Sequence, residues 1–595
     1  MDALHKAICA GQIDAVKKQV EAGVDVNHVY GMQGTALCNA IASHRTHIAE
    51  YLVGAGCDVN ATDFDGEPPL LLALRKDDLA VAKTLIDHEL CNLNNVDPVT
   101  KQTALCYASS NGLVDIVVKL VESGRCDVTK SDTDNNTAMH LAVLKQHQDV
   151  LKILSRIPEL KTLWNKGGLA PLHIAALNGD IETLDLLYPS NTGAQHTLME
   201  PLFGKVDFET SSKHPTKDLS IRTRYTNDTP LHYAVRESHR QMVETLIKRG
   251  VNINAQNNVA QTPLLIACGN NDLDIVLLLL ENRAEPNTPG TLSNITDSVT
   301  ILLLRDRQIS PLGAAAYCDN LPLAETLVHH GADMNRKDDR GQTPLFVAFI
   351  QNSPDTAMFL LCTALEQAVD ISSHNYCGDT LLHAVVRCTE KAYELSCFLI
   401  GLGCPTGVRN RLGNLPIHEA IAHENEDVVR AIVDEGGDVT ELDRSGTSPM
   451  HLAALVGNIE IAKLLLAHGA DINELSDCGK TPLFMALESE MVTFAQFLVR
   501  SGCKLTMERY LYQDFDFDHS DEEDLPMILL DEEGFHEWLK VQAGTPQSLL
   551  TLTLESIRDV YRKNPSTFIN ISSLPLPAKL IDKLLYRDLV VEEEM

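Results

Sequence analysis

Basic charge is scarce in this chain. Its 595 residues hold 49 Lys and Arg against 82 Asp and Glu, a formal net charge of −33. Such a surface repels phosphate backbones and anionic headgroups, so neither nucleic acid nor a membrane surface is expected as a partner. Long apolar runs are missing as well: stretches such as Ile275 to Leu280 fall far below the roughly 20 residues that a spanning helix needs. The fifteen cysteines include no Cys-x-x-Cys pair, which removes zinc knuckles and thioredoxin-type motifs. Several stand at apolar helix positions (Cys106, Cys268, Cys397), where a free thiol acts as a small hydrophobe. Reduced, structural cysteines and a first segment, Met1 to Lys6, without the apolar core of a signal peptide lead to the expectation of a cytoplasmic protein, with the nucleus as a second setting. There is no Gly-x-x-x-x-Gly-Lys phosphate loop, no Gly-x-Ser-x-Gly elbow and no His-Glu-x-x-His helix, and His423-Glu424 lacks a second histidine. The expectation is a non-catalytic chain with no metal ligands and no cofactor.

What is present is a recurring tetrad. It reads Thr229-Pro230-Leu231-His232, Thr262-Pro263-Leu264, Thr343-Pro344-Leu345, Ser448-Pro449-Met450-His451 and Thr481-Pro482-Leu483. Degenerate copies begin at Thr35, Pro68, Thr103, Thr137, Ala170, Ser310, Thr380 and Leu415, and a truncated one at Asp2. Most successive starts lie 33 to 35 residues apart, with one interval of 37 and wide ones of 59 and 48. About fourteen units at this period match the ankyrin repeat and predict an all-α repeat solenoid over residues 1–504. In each unit the threonine caps the first helix and proline occupies its first turn, where no donor is needed. In the penultimate unit Gly457-Asn458 turns the chain into a second helix carrying Ile461, Leu464 and Leu465 at helical spacing, and Gly469 ends it. The repeat histidines His140, His173, His232, His383, His418 and His451 are read as structural.

The wide intervals place insertions near 189–224 and 289–304. The first holds Lys205, Lys213, Lys217, Arg222 and Arg224, a basic island in an acidic chain. A solvated loop is the plainer reading of it, partner contact the sharper one. After the stack come an acidic linker (505–531), with Asp514 to Asp524 too charged to bury itself, and a connecting amphipathic helix (532–544) bearing Phe535, Trp538 and Leu539.

Two short sequences follow in fixed order. Thr545-Pro546 starts a helix to about Tyr561 whose Leu549, Leu552, Thr553, Ser556, Ile557 and Val560 form one stripe. Asn564-Pro565 breaks it, and Ile571-Ser572-Ser573-Leu574-Pro575-Leu576-Pro577 leads to a last helix with Leu580, Leu584 and Leu585. Residues 545–590 resemble a three-helix SOCS box, and with repeats in front the chain resembles the ankyrin-repeat and SOCS-box family. Ser548, Leu549, Leu552, Thr553 and Ile557 occupy the places of that family's elongin-binding box, and the resemblance implies contact with elongin B/C through elongin C. Ile571, Leu574, Pro575, Leu576, Pro577, Leu580 and Leu584 are similar to the cullin-5 box, implying cullin-5 and its RING-box protein as partners. Thr553 replaces the usual cysteine, and Lys583 stands where an aromatic is usual, which lowers the expected cullin affinity. The implied function is that of a substrate-recognition adaptor of a cullin-RING ubiquitin ligase, holding an unknown target protein on the concave face of the repeats. A plain ankyrin scaffold, with the tail as a folded cap, is the alternative.

Overall fold

The computed structural model describes residues 3–29, 34–189, 219–292, 307–364, 369–505, 539 and 541–542. Among them are fourteen pairs of short α-helices, from Ala3–Cys9 with Ile13–Glu21 to Pro482–Glu488 with Val492–Arg500. Strand is confined, among these residues, to the two-residue segments Gly290–Thr291 and Gln308–Ile309. The chain is an all-α repeat solenoid. It divides into two compact blocks, residues 1–285 with 290–304, and 286–289 with 305–595. Eight helix pairs lie in the first and six in the second.

Every tetrad start from Thr35 to Thr481 is the N-cap of a first helix. Thr262 accepts the Leu265 amide at 3.2 Å and Ser310 the Gly313 amide at 3.1 Å, satisfying donors that the first helical turn leaves open. Where the tetrad ends in histidine the ring completes the cap. The Thr137 amide and hydroxyl both lie on His140 Nδ1, at 3.3 and 2.8 Å. Nδ1 therefore accepts, and Nε2–H donates to the Leu169 carbonyl of the next repeat at 3.0 Å. His232, His383 and His451 repeat this bridge to Gln261, Asn414 and Lys480. His173 keeps it although its cap is Ala170, through the Ala170 amide at 3.1 Å. In the repeat capped by Leu415 there is no hydroxyl, and His418 Nδ1 is buried without a partner.

The turn between the two helices always takes a left-handed residue nine or eleven positions after the cap. Glycine fills it at Gly11, Gly112, Gly179 and Gly457, while His44, Asp77, Gln146, Ser238, Asn271, Asp319, Asn352, Lys391, Glu424 and Glu490 adopt the same positive φ. At Gly112 the reason for glycine is close approach: a Cβ there would lie 2.8 Å from the His147 ring, whose Nε2 donates to the Ser110 carbonyl at 2.9 Å. Burial of the second helices is one-sided. In Ile459–Ala467 the buried stripe is Ile461, Ala462, Leu465 and Leu466, with Leu464 at its margin.

Consecutive repeats are also tied at the opposite end by asparagine amides. Asn27 accepts the Asp58 amide, Asn60 the Asn92 amide and Asn94 the Asp127 amide, each at 2.7 Å, and Asn60 and Asn94 donate onward to Leu90 and Arg125 carbonyls. The second block opens on a buried ion pair, Arg307 Nε to Asp338 Oδ2 at 2.6 Å, with Gln342 accepting from the same guanidinium. Most of the first predicted insertion and much of the second lie outside the described residues. Their edges do not: the Thr223 amide donates to the Asp228 carbonyl at 2.9 Å, so the seventh repeat's hairpin has begun by Thr223. Arg224 stands on that hairpin, and Arg222 just before it donates to the Gln256 carbonyl at 2.7 Å; both are repeat residues rather than part of a loose basic island. Of the connecting helix, Leu539 is helical and fully buried.

Candidate docking surface

Where the described residues cover it, a repeat begins with a hairpin whose tip lies three or four residues before the cap. The tips are stacked through the backbone. The Tyr376 amide donates to the Arg340 carbonyl at 3.0 Å and the Arg411 amide to the Cys377 carbonyl at 2.8 Å. Glycine makes room for the neighbour: a Cβ on Gly341 would lie 2.8 Å from the Tyr376 ring, and one on Gly413 would lie 2.2 Å from Arg444 Cβ. In the first block a Cβ on Gly168 would meet the Tyr225 ring at 2.7 Å.

This backbone seating leaves tip side chains such as Phe64, Val99 and Leu412 turned to solvent, whereas the Tyr225 and Tyr376 rings also rest against Gly168 and Gly341. Phe64, Val99, Tyr225 and Val259 are exposed apolar tips in the first block, and Tyr376 and Leu412 in the second. Leu144 and Leu455, both late in first helices, add exposed apolar surface to their repeats. Phe64 with Val99, Tyr225 with Val259 and Tyr376 with Leu412 each pair on adjacent tips within one block, and such pairs offer anchor points for another protein. These residues belong neither to the cap nor to the core, the two patterns that the repeat makes visible in sequence. Their position relative to the cap was the signal that could have found them.

Deeper polar groups are already engaged. Burial pushes His140 and His173 down to about 4, so both rings are neutral bridges near pH 7. Burial pushes Cys38 up to about 11 and Cys57 and Cys388 up to about 12, which leaves these thiols protonated and unreactive. Cys106 and Cys268 are buried and Cys397 is half-buried, and all fifteen cysteines are free. Among the described residues, no three His, Cys, Asp or Glu side chains gather as metal ligands, and no helix is long and apolar enough to cross a membrane. The elongin-box residues Ser548, Leu549, Leu552, Thr553 and Ile557 and the cullin-box residues Ile571, Leu574, Pro575, Leu576, Pro577, Leu580 and Leu584 lie outside the described residues.

Comparison with known proteins follows the repeats. Human transient receptor potential cation channel subfamily A member 1 is 24% identical over 305 residues, covering 47% of this chain and 27% of its own length. Mouse B-cell lymphoma 3 protein homolog is 27% identical over 233 residues, 39% of this chain and 44% of that protein. Human ankyrin repeat and SOCS box protein 11 is 30% identical over 131 residues, 22% of this chain and 36% of that protein. The chain thus spans less than half the length of each of these relatives. The family model described as ankyrin repeats (3 copies) matches at residues 4–97, 47–132, 70–163, 105–200, 168–289, 312–404, 381–476 and 417–509. With capped helix pairs, stacked hairpin tips and a family match running through both blocks, the chain belongs to the ankyrin-repeat family.

Proposed function

We propose that this chain is a non-catalytic substrate-recognition adaptor of an elongin BC–cullin-RING ubiquitin ligase, working in the cytoplasm. The repeats hold a target protein through their exposed tips. The segment 545–590 joins the ligase, with Leu549, Thr553 and Ile557 toward elongin C and Leu574 to Pro577 toward cullin-5. The observation that carries the reading is the order of the two boxes behind a long repeat stack: one amphipathic helix is common, whereas a matching helix followed at the right place by Leu-Pro-Leu-Pro is not. The partial likeness to ankyrin repeat and SOCS box protein 11 supports it. Acceleration would come from tethering, which makes transfer to a target lysine quasi-intramolecular without any catalytic group on this chain.

Co-purification with elongins B and C tests the assignment. Burying a leucine contributes roughly 1.5–3 kcal/mol, so Leu549→Ala should weaken elongin capture about ten- to a hundred-fold. Undiminished capture would overturn the ligase role. The second reading, a scaffold without a ligase role, draws on the likeness to B-cell lymphoma 3 protein homolog and the cation channel, which extends over much longer stretches of the chain.

A further inference from the structure

The tips of repeats 10 to 13 carry Arg340, Tyr376, Arg411 with Leu412, and Arg444, all exposed. They are seated one upon the next by the Tyr376 and Arg411 amides and by Gly378 and Gly413, so the row has a fixed register. Among the described residues the three guanidinium groups have neither an ion pair nor a hydrogen bond, whereas Arg409 on the flank of the same row is held by Glu441 and the Gly413 carbonyl. Asp339 and Asp477 stand on the tips at the two ends. Three unpaired arginines in a row are out of character for a chain of net charge −33, and they select an acidic occupant.

The chain itself supplies one. Asp514-Phe515-Asp516-Phe517-Asp518-His519-Ser520-Asp521-Glu522-Glu523-Asp524 has seven carboxylates in eleven residues. Its first half alternates acid and aromatic, which in an extended segment puts carboxylates on one side and rings on the other. The tip row offers arginines for the first and Tyr376 and Leu412 for the second. Eight residues, 506–513, separate this segment from the end of the described stack, enough to reach about 28 Å. A tether of this length sets an effective concentration of the order of 1 mM, which favours the chain's own segment over any acidic partner at cellular concentrations. We propose that residues 514–524 dock along Arg340, Arg411 and Arg444 and mask this face of the stack until a tighter acidic partner displaces them. Charge added at Ser520 would strengthen the docking.

A fluorescein-labelled peptide of sequence 514–524, titrated in trans, tests this on the full chain. Against a chain in which the seven acids are replaced by Asn and Gln, the peptide should bind, and binding should fall steeply as salt rises from 50 to 300 mM. Against the unaltered chain it should bind about tenfold more weakly, because the tethered copy competes at about 1 mM against an intrinsic Kd of about 0.1 mM. In the same acid-neutralised chain carrying Arg340→Gln, Arg411→Gln and Arg444→Gln, binding should be lost with the melting midpoint unchanged, since the three side chains make no polar contact among the described residues. Equal binding to the unaltered and acid-neutralised chains, or binding that survives the arginine replacements, would overturn the proposal.

Discussion

His140 and His173 each spend both ring nitrogens on the fold, one on the cap behind and one on the carbonyl ahead. Burial is the first cause of their low pKa, about 4 in each case, against about 6.5 for a free histidine. The sign follows directly. Between these values the unfolded chain binds more protons than the folded one, so the contribution is complete above pH 6.5 and is lost as pH falls toward 4. The loss amounts to about 3 kcal/mol per ring. Urea midpoints taken from pH 7.5 to 4.5 should therefore decline, and replacing both rings by glutamine should flatten that part of the profile. An unchanged slope in the double variant would show that carboxylates alone govern acid sensitivity. The histidines were legible as structural because they sit three residues after a cap. Their bridge to the following repeat was not, since nothing in one repeat's sequence says which carbonyl the far nitrogen will meet.

Helix starts were readable because threonine and proline each act locally, on the first turn alone. Helix ends were less so: the left-handed turn residue is glycine in four repeats but Lys391, Glu424 or Glu490 in others, where packing holds a conformation that the side chain does not favour. The edge of the first insertion is hidden in the sequence for a similar reason. Counting from the tetrad cannot locate the hairpin, and Thr223 and Asp228 reveal it only by pairing. Arg307 likewise gave no signal in sequence, yet it is 6% exposed beside Asp338 at 2%. Its removal leaves Asp338 as a buried charge without its counterion. Arg307→Ala should cost about 3–5 kcal/mol, whereas replacing both partners by Met and Leu should cost much less. Guanidinium chloride unfolding of the two variants gives the comparison, and similar losses in both would mean that the pair acts as packing rather than as charge.

Repeats contact their neighbours, so the array's stability is a sum of local terms. Removing residues 545–595 should accordingly leave the thermal midpoint of the repeats within about 2 °C, retain any captured target and abolish elongin capture. A large fall in midpoint with no change in elongin capture would favour the scaffold reading, in which the tail closes the stack. The all-α solenoid was plain from a 33-residue period, but which of its surfaces recognises something was not. Distance from the cap marks where the tips lie, but no rule of folding dictates which side chain an exposed tip carries. That freedom has a consequence of its own. Since amide, carbonyl and glycine do the seating, a substitution at Phe64, Val99, Leu412 or Arg411 changes what the molecule grips while the scaffold beneath is undisturbed. Affinity for a new client could drift into existence one finger at a time, with no intermediate that fails to fold.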